Sequence, residues 1–320
     1  MPNDIEQILK VAVEHHQAGQ LDAAAQGYEQ ILAADPTHGD ALHLAGCVRY
    51  QKHDRDIGIA LVRQAIAVNP GLAVAHDNLG LMLRARGDLA EAEASHRRAA
   101  EANPDHPDAH NHLGVALFRQ QRVAEAIECY RHAIALKPDH AEALNNLGSA
   151  LQAQGSLDEA VESHRRAVAA KPDYVEAYNN LALALNKLGR GGEAAESLRR
   201  AIAVRPSYAA AHVNLGSLLR EQGDLDAAIA SYRKAIEVEP GLVDALTGLA
   251  FALQQRGRLA EAAESYRRAL ELQPDHADAL CNLGALLNGF DRHEDAAESF
   301  RRALADHPEH VAVHCNLGVA

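Results

Sequence analysis

Apolar residues along this chain recur at i, i+3, i+4 and i+7 in short stretches that stop and restart. Ala75, Leu79 and Leu83 make one stripe, and Leu89, Ala92 and Ala99 make the next. A glycine often follows the first stretch of a pair, at Gly19, Gly87, Gly155, Gly189, Gly223 and Gly257. A proline follows the second, at Pro36, Pro70, Pro104, Pro138, Pro172, Pro206, Pro240, Pro274 and Pro308. The pattern predicts antiparallel helical hairpins, because a left-handed glycine closes the first helix and proline keeps the second from running on. The prolines fall 34 residues apart without a slip, so one hairpin is copied along the whole length. Repeats start at 5, 39, 73, 107, 141, 175, 209, 243 and 277, with a partial tenth copy from 311. Such a period belongs to an array in which each copy touches only its neighbours and the stack shares one elongated core. The predicted fold is all-α, about nine and a half helix-turn-helix repeats forming a single array over 1–320.

Within each repeat the same places carry the same kinds of residue. The seventh is leucine (Leu79, Leu113, Leu147, Leu181, Leu215, Leu249, Leu283, Leu317) and the eighth is small (Gly46, Gly80, Gly114, Gly148, Ala182, Gly216, Ala250, Gly284, Gly318). The twentieth is alanine from Ala92 to Ala296, the twenty-seventh is alanine from Ala65 to Ala303, and Tyr130, Tyr232, Tyr266 and Phe300 fill the twenty-fourth. Small residues at places eight and twenty let the two helix axes approach to roughly 8–9 Å. This pattern resembles the tetratricopeptide repeat family across residues 5 to 320. The resemblance implies a right-handed superhelical solenoid whose first helices line a concave wall, and a protein that works by holding other proteins.

Composition narrows the partner. The net charge of −13 argues against nucleic acid, which needs clustered Lys and Arg to displace counterions. The N-terminus, Met1-Pro2-Asn3-Asp4-Ile5-Glu6, has no basic and apolar leader, and no run of about 18 apolar residues occurs, so a cytoplasmic protein without a membrane partner is expected. Cys129 stands where other copies have serine, and Cys281 and Cys315 share a place in neighbouring repeats too far apart to bridge, so the thiols are expected to be reduced. Eleven of the nineteen histidines fall at repeat positions and read as packing residues, among them His96 and His164 where other copies have tyrosine. The pairs His106/His110 and His310/His314 have the i, i+4 spacing of metal ligands but no third partner in sequence, so no metal and no cofactor is expected.

Two polar ladders remain. Arginine occupies the twenty-fifth place from Arg63 to Arg301, commonly with a glutamate three residues earlier, which predicts a self-neutralised outer face rather than a polyanion track. The sixth place carries Asn78, His112, Asn146, Asn180, Asn214, Asn282 and Asn316, with Lys10, Leu44 and Gly248 as exceptions, and Asn111, Asn145 and Asn179 add a row at the fifth. Amides spaced along a concave wall can donate to and accept from the main chain of an extended peptide without demanding a particular side chain. The same amides could instead bond within the array and stabilise it. The acidic second places (Glu6, Asp40, Asp108, Glu142, Glu176, Asp244, Asp278) suit a neutral to basic partner and disfavour a carboxylate-clamp role.

The asparagine row, with Leu144-Asn145-Asn146-Leu147-Gly148 and Ala194-Ala195-Glu196-Ser197-Leu198-Arg199-Arg200-Ala201, also resembles the repeat arm of protein O-GlcNAc transferases and related bacterial glycosyltransferases. That likeness implies an alternative, a substrate-recruiting arm whose catalytic domain lies outside these residues. The last residue, Ala320, falls partway along a first helix, which fits a longer parent protein and leaves room for self-association or a linked domain. No catalytic constellation is visible, so the chain is not expected to be an enzyme by itself.

Overall fold

The computed structural model describes the backbone of residues 2–306 and the side chains of 4–304. Nine hairpins are formed by α1 (Pro2–Gln17) and α2 (Leu21–Ala34), α3 (Gly39–Gln51) and α4 (Arg55–Val68), α5 (Ala73–Arg86) and α6 (Leu89–Ala102), α7 (Pro107–Arg119) and α8 (Val123–Leu136), α9 (Ala141–Gln154) and α10 (Leu157–Ala170), α11 (Val175–Lys187) and α12 (Gly191–Val204), α13 (Ala209–Glu221) and α14 (Leu225–Val238), α15 (Val243–Gln255) and α16 (Leu259–Leu272), and α17 (Ala277–Gly289) and α18 (His293–Asp306). From the second repeat on, each first helix begins at the first counted residue. α1 begins earlier, because Pro2 is tolerated in a first turn, where its missing N–H is not needed.

The turn between the helices is left-handed in every hairpin. The six glycines at the fifteenth place have φ between 73° and 99°, and His53 (70°), Gln121 (64°) and Asp291 (57°) adopt the same conformation where glycine is missing. The turn is thus a property of the repeat, and those three residues carry the cost of a Cβ in the left-handed region. At the other end, the residue before proline is pulled out of the helix. Lys137 lies at φ −135° and ψ 93° ahead of Pro138, as steric conflict with the proline ring requires.

The repeat histidines hold helix ends. Nδ1 of His38, His106, His140 and His276 accepts the backbone N–H three residues on (3.3, 3.2, 3.4 and 3.2 Å), satisfying one of the orphan donors of the first turn. His76, His110 and His212 donate from Nε2 to the carbonyls of Pro70, Pro104 and Pro206 at 2.8, 2.8 and 3.0 Å. Both members of the His106/His110 pair are therefore engaged by the fold, and His310/His314 lies outside the described residues.

Core packing follows the repeat. A Cβ added at Gly80, Gly114, Gly148 or Gly284 would fall 2.5–2.7 Å from the ring of His96, Tyr130, His164 or Phe300. The eighth-place glycine is thus a seat for the ring at place twenty-four. The chain divides into two compact units, Met1–Ala170 and Lys171–Ala320, whose boundary follows α10. In the first unit Tyr28, Ile31, Ile59, Leu83, Tyr130 and Leu144 are fully buried; in the second, Leu185, Leu198, Tyr232, Leu246, Tyr266 and Phe300 are. Within each unit every first helix packs on its own second helix and, apart from the leading α1 and α11, on the second helix before it, and successive first helices from α3 to α9 and from α11 to α17 also touch. Those contacts line up the polar places of successive repeats. Among the described residues no helix is long and apolar enough to cross a membrane.

Candidate peptide-binding face

Places five and six lie mid-helix on the side where successive first helices meet. In four copies the sixth-place side chain reaches back to the fifth-place side chain of the preceding repeat. Asn78 Nδ2 contacts His43 Nε2 at 2.8 Å, His112 Nδ1 contacts both carboxylate oxygens of Asp77 at 3.0 Å, and Nδ2 of Asn146 and Asn214 donates to Oδ1 of Asn111 and Asn179 at 2.9 and 2.7 Å. The partners are 35 residues apart, one repeat plus one place.

The two rows differ in exposure, and this separates their roles. Asn111, Asn145 and Asn179 are buried, whereas Asn78, His112, Asn146, Asn180, Asn214 and Asn282 are half-buried. The fifth-place amides accept hydrogen bonds that a buried carbonyl oxygen needs, and so orient the row in front of them. Each bond uses one of the two amide hydrogens of Asn146 or Asn214. Asn316 lies outside the described residues.

Place twenty-four supports the same network from behind. His164 Nδ1 meets Asn145 Oδ1 at 3.0 Å, and His96 Nδ1 meets Asp77 Oδ1 at 2.7 Å. Burial lowers the pKa of both histidines, that of His164 to about 4. Burial alone would raise the carboxyl of Asp77, but hydrogen bonds from His112 and His96 hold it well below the usual carboxylate range. Among the described residues Nε2 of His96 and of His164 is buried without a partner.

In the second unit the row is interrupted at Gly248, where a cleft of about 500 Å³ opens. Its floor is the ring of Tyr232, which a Cβ at Gly248 would approach to 2.5 Å, and whose hydroxyl is 2.9 Å from Ser217 Oγ. Phe251 forms a wall with the Arg220 guanidinium 5.0 Å above its ring, and Asp244, Asp278 and Asn282 are among the other lining residues. In the sequence Gly248 is an exception to the ladder, and the cleft that its missing side chain opens is visible only in the fold.

The arginine ladder is paired on the outer surface. Arg131 meets Glu128 at 3.0 Å in its own helix, and Arg63 and Arg233 meet Glu91 and Glu261 of the next repeat at 2.5 and 3.1 Å. These exposed pairs are worth little individually, about 0–1 kcal/mol, and their effect is to cancel charge.

A family model described as the Cilia and flagella-associated protein 70 C-terminal domain matches residues 4–209, and two tetratricopeptide repeat models match 179–241 and 242–309. Among solved structures the chain is similar to pilF of Pseudomonas aeruginosa, with 19% identity over 68% of this chain and 99% of that one and a TM-score of 0.60. It is also similar to the APC/C hetero-tetramer Cut9–Hcn1 (14% identity, 93% of this chain and 59% of that one, TM-score 0.61). A tetratricopeptide repeat protein from Parabacteroides merdae gives 20% identity, 77% and 98% coverage and a TM-score of 0.59. At these identities the likeness is one of fold. None of the curated proteins matches the chain in sequence.

Proposed function

The chain belongs to the tetratricopeptide repeat family, with residues 4–209 in that of the Cilia and flagella-associated protein 70 C-terminal domain, so it is a protein-interaction scaffold, and we propose that it holds extended segments of partner proteins along its first-helix face. The observation that carries this reading is the half-buried sixth-place row, in which the amides of Asn78, Asn146 and Asn214 are each held by a buried side chain behind them. An amide already fixed in direction loses little entropy when it bonds a peptide main chain, and that favours affinity. The buried Asn111 and Asn179 act as holders of the row. Asn78, His112 and Asn146 in the first unit, and Asn180, Asn214 and Asn282 in the second, are the contacts.

Charge selects the segment. Exposed acidic second places, with Asp244 and Asp278 at the cleft beside Gly248, favour lysine or arginine side chains whose stems can lie on Phe251. The role is recruitment, with no chemistry of its own. As the arm of a glycosyltransferase, the alternative implied by residue resemblance, the chain would use the same face.

The test is to select binders from a random-peptide display library and measure their affinity by fluorescence polarisation. Replacing Asn146, Asn180 and Asn214 by alanine should weaken the selected peptides by about 0.5–1.5 kcal/mol for each bond lost, with helical circular dichroism retained and melting lowered only by the bonds lost to the buried Asn111 and Asn179. Unchanged affinity accompanied by a large fall in stability would overturn the reading and make the row purely structural.

A further inference from the structure

Three departures from the repeat pattern meet at one point. Asp77 stands at the fifth place of its repeat, His112 at the sixth place of the next, and His96 at a twenty-fourth place that is aromatic or aliphatic in every other copy except that of His164. They come from three consecutive helices, α5, α6 and α7, and each offers a ligand atom within 4.8 Å of the other two. His96 Nδ1 lies 2.7 Å from Asp77 Oδ1, and His112 Nδ1 lies 3.0 Å from both carboxylate oxygens. The two imidazole rings are 5.4 Å apart between centroids. We propose that Asp77, His96 and His112 form a binding site for a divalent first-row transition-metal ion, with zinc as its natural probe.

The donor set is the first argument. Two imidazoles and one carboxylate suit a borderline ion such as Zn²⁺, which often takes three protein ligands and completes its shell with water, whereas Mg²⁺ and Ca²⁺ prefer oxygen throughout. Burial is the second. His96 is fully buried and the Asp77 side chain is 11% exposed, so the ligands are held in place, while the His112 side chain at 19% leaves the open positions a path to solvent. Pattern is the third. One repeat further on, the same three places carry Asn111, Tyr130 and Asn146, and there the network is satisfied by one hydrogen bond, from Asn146 to Asn111. A carboxylate flanked by two imidazoles is more than that network requires. Among the described residues it is the one place where three such ligands converge.

In neutral imidazoles that ligate through Nδ1, the ring proton sits on Nε2, so binding needs no redox change and no co-reactant. The site joins three consecutive helices, and a bound ion would hold the third hairpin (α5 and α6) to α7 of the fourth. This inference does not depend on peptide binding.

The test uses the full untagged chain, freed of metal by dialysis against chelator. Titration with Zn²⁺ should show one tight equivalent with a micromolar or tighter Kd, and Co²⁺ should give the visible d–d bands of an ordered, low-coordinate site. Asp77→Asn and His112→Asn install the residues that the array uses at these places, so both should fold, as melting will verify. Each should weaken the tight equivalent by about 100-fold or more, since even loss of an outer partner of a metal ligand costs about 10–100-fold. His164→Tyr, the same place two repeats on from His96, should leave it unchanged. Absence of a stoichiometric tight site in the wild type would overturn the proposal, as would equal binding by Asp77→Asn and His112→Asn or equal loss in His164→Tyr. If Asp77→Asn fails to fold, the half-exposed His112→Asn decides the matter alone.

Discussion

Lowering the pH should destabilise the first unit through His164, and the magnitude can be worked from its surroundings. The ring is wholly buried against Gly148, its Nδ1 faces Asn145 and its Nε2 has no partner among the described residues. A proton added there creates a buried charge with an unpaired N–H, so burial lowers the pKa from 6.5 to about 4. In the unfolded chain the same histidine takes its proton near pH 6.5. Between pH 6.5 and 4 the unfolded state therefore binds the proton and the folded state does not, so stability falls as the pH falls and levels off below about 4. The gap between 6.5 and about 4, at about 1.4 kcal/mol for each pH unit, comes to about 3 kcal/mol. His164→Tyr installs the side chain found at this place as Tyr130, Tyr232 and Tyr266, and removes the titration. Urea unfolding of both proteins should be followed from pH 7 to 4, taking the difference so that shared carboxylates and other histidines cancel. The variant should gain on the wild type by up to about 3 kcal/mol as the pH drops. A difference that stays flat across this range would refute the assignment of a buried neutral imidazole.

Other expectations follow from the repeat geometry. Gln121→Gly should stabilise by about 1 kcal/mol, because it relieves a Cβ at φ 64°, and Gly155→Ala at φ 93° should destabilise by a similar amount in chemical denaturation. Gly114→Ala places a Cβ 2.6 Å from the Tyr130 ring and should cost about 1–3 kcal/mol. Adding Tyr130→Leu to Gly114→Ala, the combination used as Ala182 and Leu198, should recover part of that loss; an unfolding midpoint that drops further would contradict the idea of a seat for the ring.

The hairpins, their boundaries and their period were legible from the residues, because each is written in local physics repeated nine times. Proline cannot continue a helix, a left-handed turn favours glycine, and apolar residues at helical spacing need a neighbour to cover them. Even the turns at His53, Gln121 and Asp291 follow from the copies around them. The rows at places five and six were visible as well, yet the sequence could not say which row faces outward. That was decided by the packing of one first helix on the next, which buries Asn111, Asn145 and Asn179 and leaves Asn146, Asn180 and Asn214 half-exposed. The same packing brings together Asp77, His96 and His112, none of them adjacent in the chain, and opens a cleft where Gly248 lacks a side chain. A repeat determines what each copy is made of, and only the stacking of copies determines which of its side chains meet.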